Sequence, residues 1–186
     1  MAAILQLLNT KVCSLQLQEP QSVQYRKVAA NILKFYEFHR DIQSILKVYN
    51  RDFYQRYQLM RRQMHERDPE VQVERVLFHG TSRENMVIIH FGFNRSHSTD
   101  WNQYGRGCYF TSWFDVAAGE DHATPDESNV QYVIQTRVLT GVFAEGDEGL
   151  IEPHNATASL WSCSIKSTDH QYVYCVYDHI NIHSYT

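Results

Sequence analysis

The sequence lacks features that are typical of several classes of protein. Its four cysteines include no C-x-x-C pair, and no group of histidines and cysteines has the spacing of zinc ligands. No run of 18 apolar residues occurs, and the apolar opening carries no basic stretch before it. We therefore expect no disulfide framework, metal site, membrane span or signal peptide, and we expect free thiols in an intracellular protein, either cytoplasmic or nuclear.

An excess of positive charge is also missing. The formal net charge is −4, and the basic residues are scattered along the chain. A nucleic-acid-binding domain normally carries a basic stripe or a net positive charge, so we do not expect this domain alone to bind nucleic acid. What is present is a hydrophobic fraction of 43%, which is enough to build one core, and 186 residues fit a single domain.

The first third of the chain has helical patterns. Residues 1–19 are predicted to form an N-terminal arm or a short strand. Apolar residues at helical spacing predict a helix over 23–38, which Ser22 can cap, and a strand is predicted over 42–49. Asn50 begins a second predicted helix, whose apolar stripe is formed by Phe53, Tyr57, Met60 and Met64.

The rest of the chain consists mainly of predicted strands. They lie at residues 73–78, 108–111, 130–139, 171–177 and 180–185. A short helix is predicted from Ser82 to His90, with Gly92 closing it, and a helical turn over 115–121. Because helices come first and antiparallel-type strands follow, the pattern predicts an α+β fold and not a doubly wound one.

Three strand-end motifs carry the functional information. The first is at residues 77–82, where a strand ends in His79-Gly80. A glycine there lets a ligand approach the main chain closely, so that its N–H and C=O can hold an amide at two points. The second motif, residues 105–110, has two glycines before a Tyr-Phe strand. The third is a late strand at residues 172–178.

In this order the motifs resemble the catalytic domain of the poly(ADP-ribose) polymerases (PARPs), which are diphtheria-toxin-like ADP-ribosyltransferases. The resemblance spans roughly residues 15–186 and implies the ADP-ribosyltransferase fold, a split antiparallel β-sheet with N-terminal helices, as a single catalytic domain over 20–186. Because no long helical insert precedes residue 70, the chain is most similar to the mono-ADP-ribosylating subgroup, near the CCCH zinc-finger PARPs.

The resemblance also implies an NAD site. It implies that His79 hydrogen-bonds the adenosine ribose, that Gly80 holds the nicotinamide carboxamide and that Tyr109 packs beside the nicotinamide ribose. Thr81 and Asn94 are the further candidates that it places at this site.

Two departures from the family pattern concern this site. Val173 stands where the polymerases have a glutamate, and its side chain has no polar atom to contact the ribose or activate an acceptor. The family's serine and tyrosine of the nicotinamide wall correspond to Gly119 and His122 with a two-residue shift, or to Ala117 and Glu120 without it. Either way the serine hydroxyl is missing.

The residues support two functional hypotheses. The first is an NAD-dependent mono-ADP-ribosyltransferase that modifies a protein, or a nucleic-acid end, and releases nicotinamide. The alternative is a catalytically inactive PARP-like protein that serves as a binding module. The presence of His79, Gly80 and Tyr109 favours the first, while Val173 and the missing serine favour the second.

Overall fold

The computed structural model describes residues 13–33, 42–95, 104–141, 143–148, 150–151, 163–168, 171–176 and 182–184. Its first four elements are β1 (Cys13–Leu17), α1 (Val23–Leu33), β2 (Leu46–Asn50) and α2 (Arg51–Arg67). Strands β1 and β2 form a two-stranded antiparallel sheet, with Cys13 opposite Asn50 and Leu17 opposite Leu46. None of the helices that the structure describes is long and apolar enough to cross a membrane.

Side-chain caps mark the starts of both helices, as predicted. The Ser22 hydroxyl accepts a hydrogen bond from the Tyr25 N–H at 3.0 Å, and the Asn50 side chain accepts one from the Phe53 N–H at 3.2 Å. The described part of α1 ends at Leu33, and residues 34–38 of the predicted helix lie outside the described residues. The predicted strand over 42–49 is wrong at its start, because pairing with β1 begins only at Leu46.

The second and larger sheet forms the body of the molecule. Its strands are β3 (Glu74–Thr81), β4 (Cys108–Thr111), β5 (Tyr132–Leu139), β6 (Phe143–Glu145), β7 (Cys163–Thr168), β8 (Gln171–Val176) and β9 (Ile182–Ser184). They are ordered β6-β7-β8-β4-β3-β5-β9, and the described neighbours pair antiparallel except β6 and β7, which are parallel. The α+β class is confirmed, whereas β6 and β7 are absent from the sequence prediction.

Short helical segments connect the strands of the larger sheet. A 3₁₀ helix (Glu84–Val87) leads into α3 (Ile88–Phe91), and Gly92 ends α3 with a φ of 80°. A Cβ at this position would lie 3.0 Å from the Phe53 ring, which would have to shift slightly, so the contact as well as the conformation favours glycine. The last helix, α4 (Phe114–Ala117), is shorter than the helical turn predicted over 115–121.

The main core lies between one face of the larger sheet and the N-terminal elements. Its buried members are Cys13, Leu15, Val48, Leu77, Ile89, Phe93, Phe110, Ile134, Val138, Tyr174 and Val176. A second cluster under α2 joins Tyr57 and Met64 to Val73 and Leu139, which confirms that the apolar stripe of this helix is a core face.

A network of charged side chains fixes α2 to the start of β3. The Glu74 carboxylate accepts hydrogen bonds from the Tyr57 hydroxyl at 2.5 Å and from Arg137 at 2.7 Å, and it pairs with Arg61 at 3.1 Å. Burial and the neighbouring Glu74 raise the pKa of Tyr57, so its hydroxyl remains a donor. One carboxylate thus joins a helix and two strands.

Candidate active site

The larger sheet is split between β3 and β4. In the described residues these strands share one registered pair, Phe78 opposite Thr111. On the other side of β3, the Val73 carbonyl accepts a hydrogen bond from the Thr140 N–H at 2.9 Å. In an antiparallel pair, residues that direct their main-chain groups toward the partner strand alternate with residues that direct them away, so this bond fixes the alternation along β3. That alternation directs the N–H and C=O of Gly80 away from β5. The two main-chain groups therefore face the gap beside β4.

His79 crosses this gap with its side chain. Its Nδ1 lies 2.8 Å from the Tyr109 carbonyl oxygen, and its ring packs against Phe93 and Phe110, with ring centroids 5.0 and 5.4 Å away. Burial lowers the pKa of His79 from its usual 6.5, the hydrogen bond to Tyr109 opposes this shift, and His122 adds to it. Since a carbonyl only accepts, Nδ1 carries the proton and Nε2 of the neutral ring is an acceptor.

The Tyr109 side chain points away from the His79 ring. Its hydroxyl donates to the Gly105 carbonyl at 2.8 Å and accepts from the Tyr104 N–H at 3.0 Å, and burial raises its pKa. Because Tyr109 and Phe110 are consecutive in β4, their side chains lie on opposite faces of the sheet, and the His79 ring packs with Phe110. His79 and Tyr109 therefore meet through a main-chain carbonyl, and their rings do not face one another.

Val173 lies on the same face of the sheet as the Tyr109 ring. In the β4–β8 pairing, Cys175 is opposite Tyr109 and Val173 is opposite Thr111, so alternation places these four side chains on one face. Val173 is partly exposed there. Val173, which the resemblance places where the polymerases have a glutamate, is thus close to the tyrosine of the second motif.

The last residue of α4 and the segment that follows it cover one side of Gly80. A Cβ on Gly80 would lie 1.9 Å from the Ala117 carbonyl oxygen and 3.0 Å from the backbone carbon and Cβ of His122. The structure therefore places Ala117, from the unshifted correspondence, and His122, from the shifted one, beside Gly80. Glu120 is exposed, and a Cβ on Gly119 would lie nearest to the Val116 carbonyl oxygen, at 3.2 Å. The glycine of the His-Gly pair is required by packing within the protein, a reason that the sequence does not reveal.

The two remaining candidates lie at the edges of this region. Thr81 is buried at the end of β3, opposite Tyr132, and Asn94 is exposed directly after Phe93, which packs on His79. Across the described ranges, no group of three histidine, cysteine or acidic side chains has a geometry suited to a metal ion. The roles of all these residues toward a ligand remain predictions.

Sequence reasoning missed one residue of this region, Gln131. Its side-chain amide donates to the carbonyls of Ala118 and Ala123, at 2.9 and 2.8 Å. No motif includes Gln131, and nothing in the sequence indicates that the side chain of a glutamine before a strand bonds to both ends of a turn.

Comparison with known proteins gives the same family as the sequence motifs. A family model described as "Poly(ADP-ribose) polymerase catalytic domain" matches residues 22–180. "Protein mono-ADP-ribosyltransferase PARP14" from Homo sapiens is 30% identical over 136 residues, covering 72% of this chain and 8% of that protein. From Mus musculus, "Protein mono-ADP-ribosyltransferase PARP10" is 34% identical over 101 residues (53% and 10%), and "Protein mono-ADP-ribosyltransferase PARP9" is 31% identical over 99 residues (52% and 11%). The chain spans about a tenth of the length of these relatives.

Proposed function

Because this chain belongs to the poly(ADP-ribose) polymerase catalytic domain family, we propose that it is an NAD-dependent mono-ADP-ribosyltransferase that modifies a protein acceptor. The observation that carries the proposal is the 2.8 Å hydrogen bond from His79 to the Tyr109 carbonyl, beside the main chain of Gly80. This contact holds a neutral imidazole at a gap in the sheet. Three relatives that are named mono-ADP-ribosyltransferases support the single-unit product.

The geometry suggests a division of roles in binding NAD. The Gly80 N–H would donate to the carboxamide oxygen of nicotinamide, and the Gly80 C=O would accept from its NH₂ group. The Nε2 of His79, an acceptor in the neutral ring, would accept from a ribose hydroxyl. Both groups lie where β3 and β4 diverge, so one extended ligand can contact them together.

The proposed reaction is a substitution at C1′ of the nicotinamide ribose. The bond from C1′ to the nicotinamide nitrogen breaks, and its electron pair leaves with neutral nicotinamide. The nucleophilic atom of the acceptor side chain forms a new bond to C1′ and loses its proton to solvent. Elongation of an attached ADP-ribose would need a group that activates its 2′-hydroxyl, and Val173 has none, so a single unit is expected.

A second candidate function is an inactive binding module, and one observation favours it. The Ala117 carbonyl closes on one side of Gly80, and an alanine supplies no hydroxyl for a bound carboxamide. A carboxamide left one hydrogen bond short would bind with about 1–3 kcal/mol less free energy. We therefore expect weakened NAD binding if the chain is an enzyme, and weak or no NAD binding if it is a binding module.

Calorimetric titration with NAD, combined with a labelled-NAD gel, tests the proposal. The wild-type chain should bind NAD and give one compact shift of modified protein. His79→Ala should weaken binding and reduce labelling, whereas His65→Ala, a control at an exposed position on α2, should do neither. Absence of both binding and product would favour the binding module, and a ladder of long chains would contradict the role given to Val173.

A further inference from the structure

Gln131 holds a turn of the chain closed from outside that turn. It lies directly before β5, and its side-chain nitrogen donates to the Ala118 carbonyl at 2.9 Å and the Ala123 carbonyl at 2.8 Å. An amide NH₂ group has two hydrogens, so these two bonds use both. One side chain thus ties both ends of the segment 118–123 to the start of β5.

The same segment is closed by its own main chain. The Gly119 carbonyl accepts from the N–H groups of His122 and Ala123 at 2.9 and 2.7 Å. Ala118 and Ala123 are 2% and 0% exposed, so their carbonyls lie in a site from which water is largely excluded. Buried carbonyls that lose their donors are destabilising, and the two alanine side chains are too small to anchor the turn by packing. We therefore expect the Gln131 amide to help fix the position of this turn.

The turn brings His122 to the proposed NAD site. The Cβ and backbone carbon of His122 lie 3.0 Å from the place where a Cβ on Gly80 would be. The same side chain is near enough to His79 to act on it electrostatically. Any shift of the turn would therefore move His122 relative to both Gly80 and His79.

We propose that Gln131 is a positioning residue of the NAD site, which holds His122 in place against Gly80. The inference rests on the proposed function, under which nicotinamide binds beside His122 and Gly80. Gln131 itself bonds to the turn through Ala118 and Ala123, so it acts through the turn and not on the ligand.

The test uses Gln131→Leu, which keeps a similar volume and removes both donors. Gln55→Leu, at an exposed position of α2, is the matched control. Amide hydrogen exchange at His122 and Ala123 reports on the turn without any ligand, while NAD dissociation constants, KM and kcat report on the site. We expect Gln131→Leu to speed exchange at these amides and to raise the NAD dissociation constant and KM about tenfold, the net effect of one to two hydrogen bonds. The value of kcat should change less.

A double-mutant cycle separates positioning from general loosening of the fold. If Gln131 acts through His122, then Gln131→Leu should have little further effect on NAD binding in a His122→Ala background. Fully additive effects would overturn the proposal. Gln131→Asn, which keeps the amide but reaches less far, should give an intermediate dissociation constant and replaces Gln131→Leu if the latter does not fold.

The remaining outcomes are equally decisive. Unchanged exchange at His122 and Ala123 would show that Gln131 does not hold the turn. Faster exchange with unchanged NAD binding would show that the turn is not part of the site. If the wild-type chain itself binds no NAD, both the proposed function and the role of Gln131 fail. Titration of the wild type comes before the variants and identifies this result.

Discussion

Protonation of His79 should lower the stability of the fold as the pH falls. Burial holds the pKa of the folded-state imidazole below 6.5, the usual value that applies to the unfolded chain. Below about pH 6.5 the unfolded chain therefore binds a proton that the folded chain resists, so stability decreases, at no more than about 1.4 kcal/mol per pH unit for one proton. The contribution is complete above about pH 6.5, is lost as the pH falls toward the folded-state pKa, and changes no further below it.

The variant His79→Asn isolates this effect. An asparagine amide can donate from nearly the place of Nδ1, so the Tyr109 carbonyl can keep a partner, but the side chain does not titrate. Above about pH 7 the variant should be less stable by about 1–2 kcal/mol, because contacts of the ring with Phe93 and Phe110 are lost. Below about pH 6.5 only the wild type carries the His79 penalty, so the difference should narrow by up to about 1.4 kcal/mol per pH unit.

Urea unfolding of both proteins, followed by tryptophan fluorescence between about pH 5 and 8, measures this difference. His65→Asn, at an exposed position, is the control and should give a curve parallel to that of the wild type. If the free energies of unfolding of the wild type and His79→Asn changed in parallel with pH, the imidazole would have the same pKa in the folded and unfolded chains. The argument from burial would then be wrong.

Three further outcomes are expected. Gly80→Ala should destabilise the fold by about 1–3 kcal/mol and weaken NAD binding, because its Cβ would lie 1.9 Å from the Ala117 carbonyl oxygen; thermal unfolding and calorimetry measure the two effects. Glu74→Gln should lower the free energy of unfolding, measured with urea, by about 1–3 kcal/mol. The reason is that an amide NH₂ group would replace one oxygen of a carboxylate that three donor side chains contact. Val173→Glu should still give a single compact shift in a labelled-NAD gel, because a carboxylate alone does not build an acceptor pocket.

Each of these outcomes has a control or a contradicting result. Gly119→Ala is the match for Gly80→Ala, because its added Cβ would approach no atom closer than 3.2 Å, and equal effects of the two would contradict the packing argument. Glu70→Gln, at an exposed position, should be nearly neutral, and a neutral Glu74→Gln would show that its network adds nothing. A ladder of products from Val173→Glu would mean that an acceptor pocket is already present.

Elements whose pattern is local were predictable from the sequence. Helix α2 is one, because Asn50 caps it and Tyr57 and Met64 repeat along its buried face. Strand β7 is different: its segment from Cys163 to Thr168 has one large apolar residue, Ile165, among mainly polar ones, and its place depends on pairing with both β6 and β8. Its pairing is a property of the assembled sheet, so no local rule indicates it.

The candidate site divides in the same way. The His-Gly pair and Tyr109 could be chosen from their motifs, and the structure brings His79 and Tyr109 within hydrogen-bond distance. The direction of the Tyr109 ring depends on which face of β4 the core covers, and the steric demand at Gly80 comes from Ala117, 37 residues later in the chain by their numbering. The sequence places neither contact, because both depend on how separate elements dock.

The gap between β3 and β4 also has a mechanical consequence. It divides the sheet into two leaves, β3-β5-β9 and β4-β8-β7-β6, which share the buried core. In the described residues, β3 and β4 themselves are joined by one registered pair and by the hydrogen bond of the His79 imidazole. Within each leaf, β3 pairs with β5 from Glu74 to Thr81, and β4 pairs with β8 from Cys108 to Thr111. Main-chain pairing is therefore continuous within each leaf and sparse across the seam, where the His79 side chain supplies a hydrogen bond to β4. A ligand that bonds to this imidazole would therefore contact the part of the sheet that the fewest main-chain hydrogen bonds hold together.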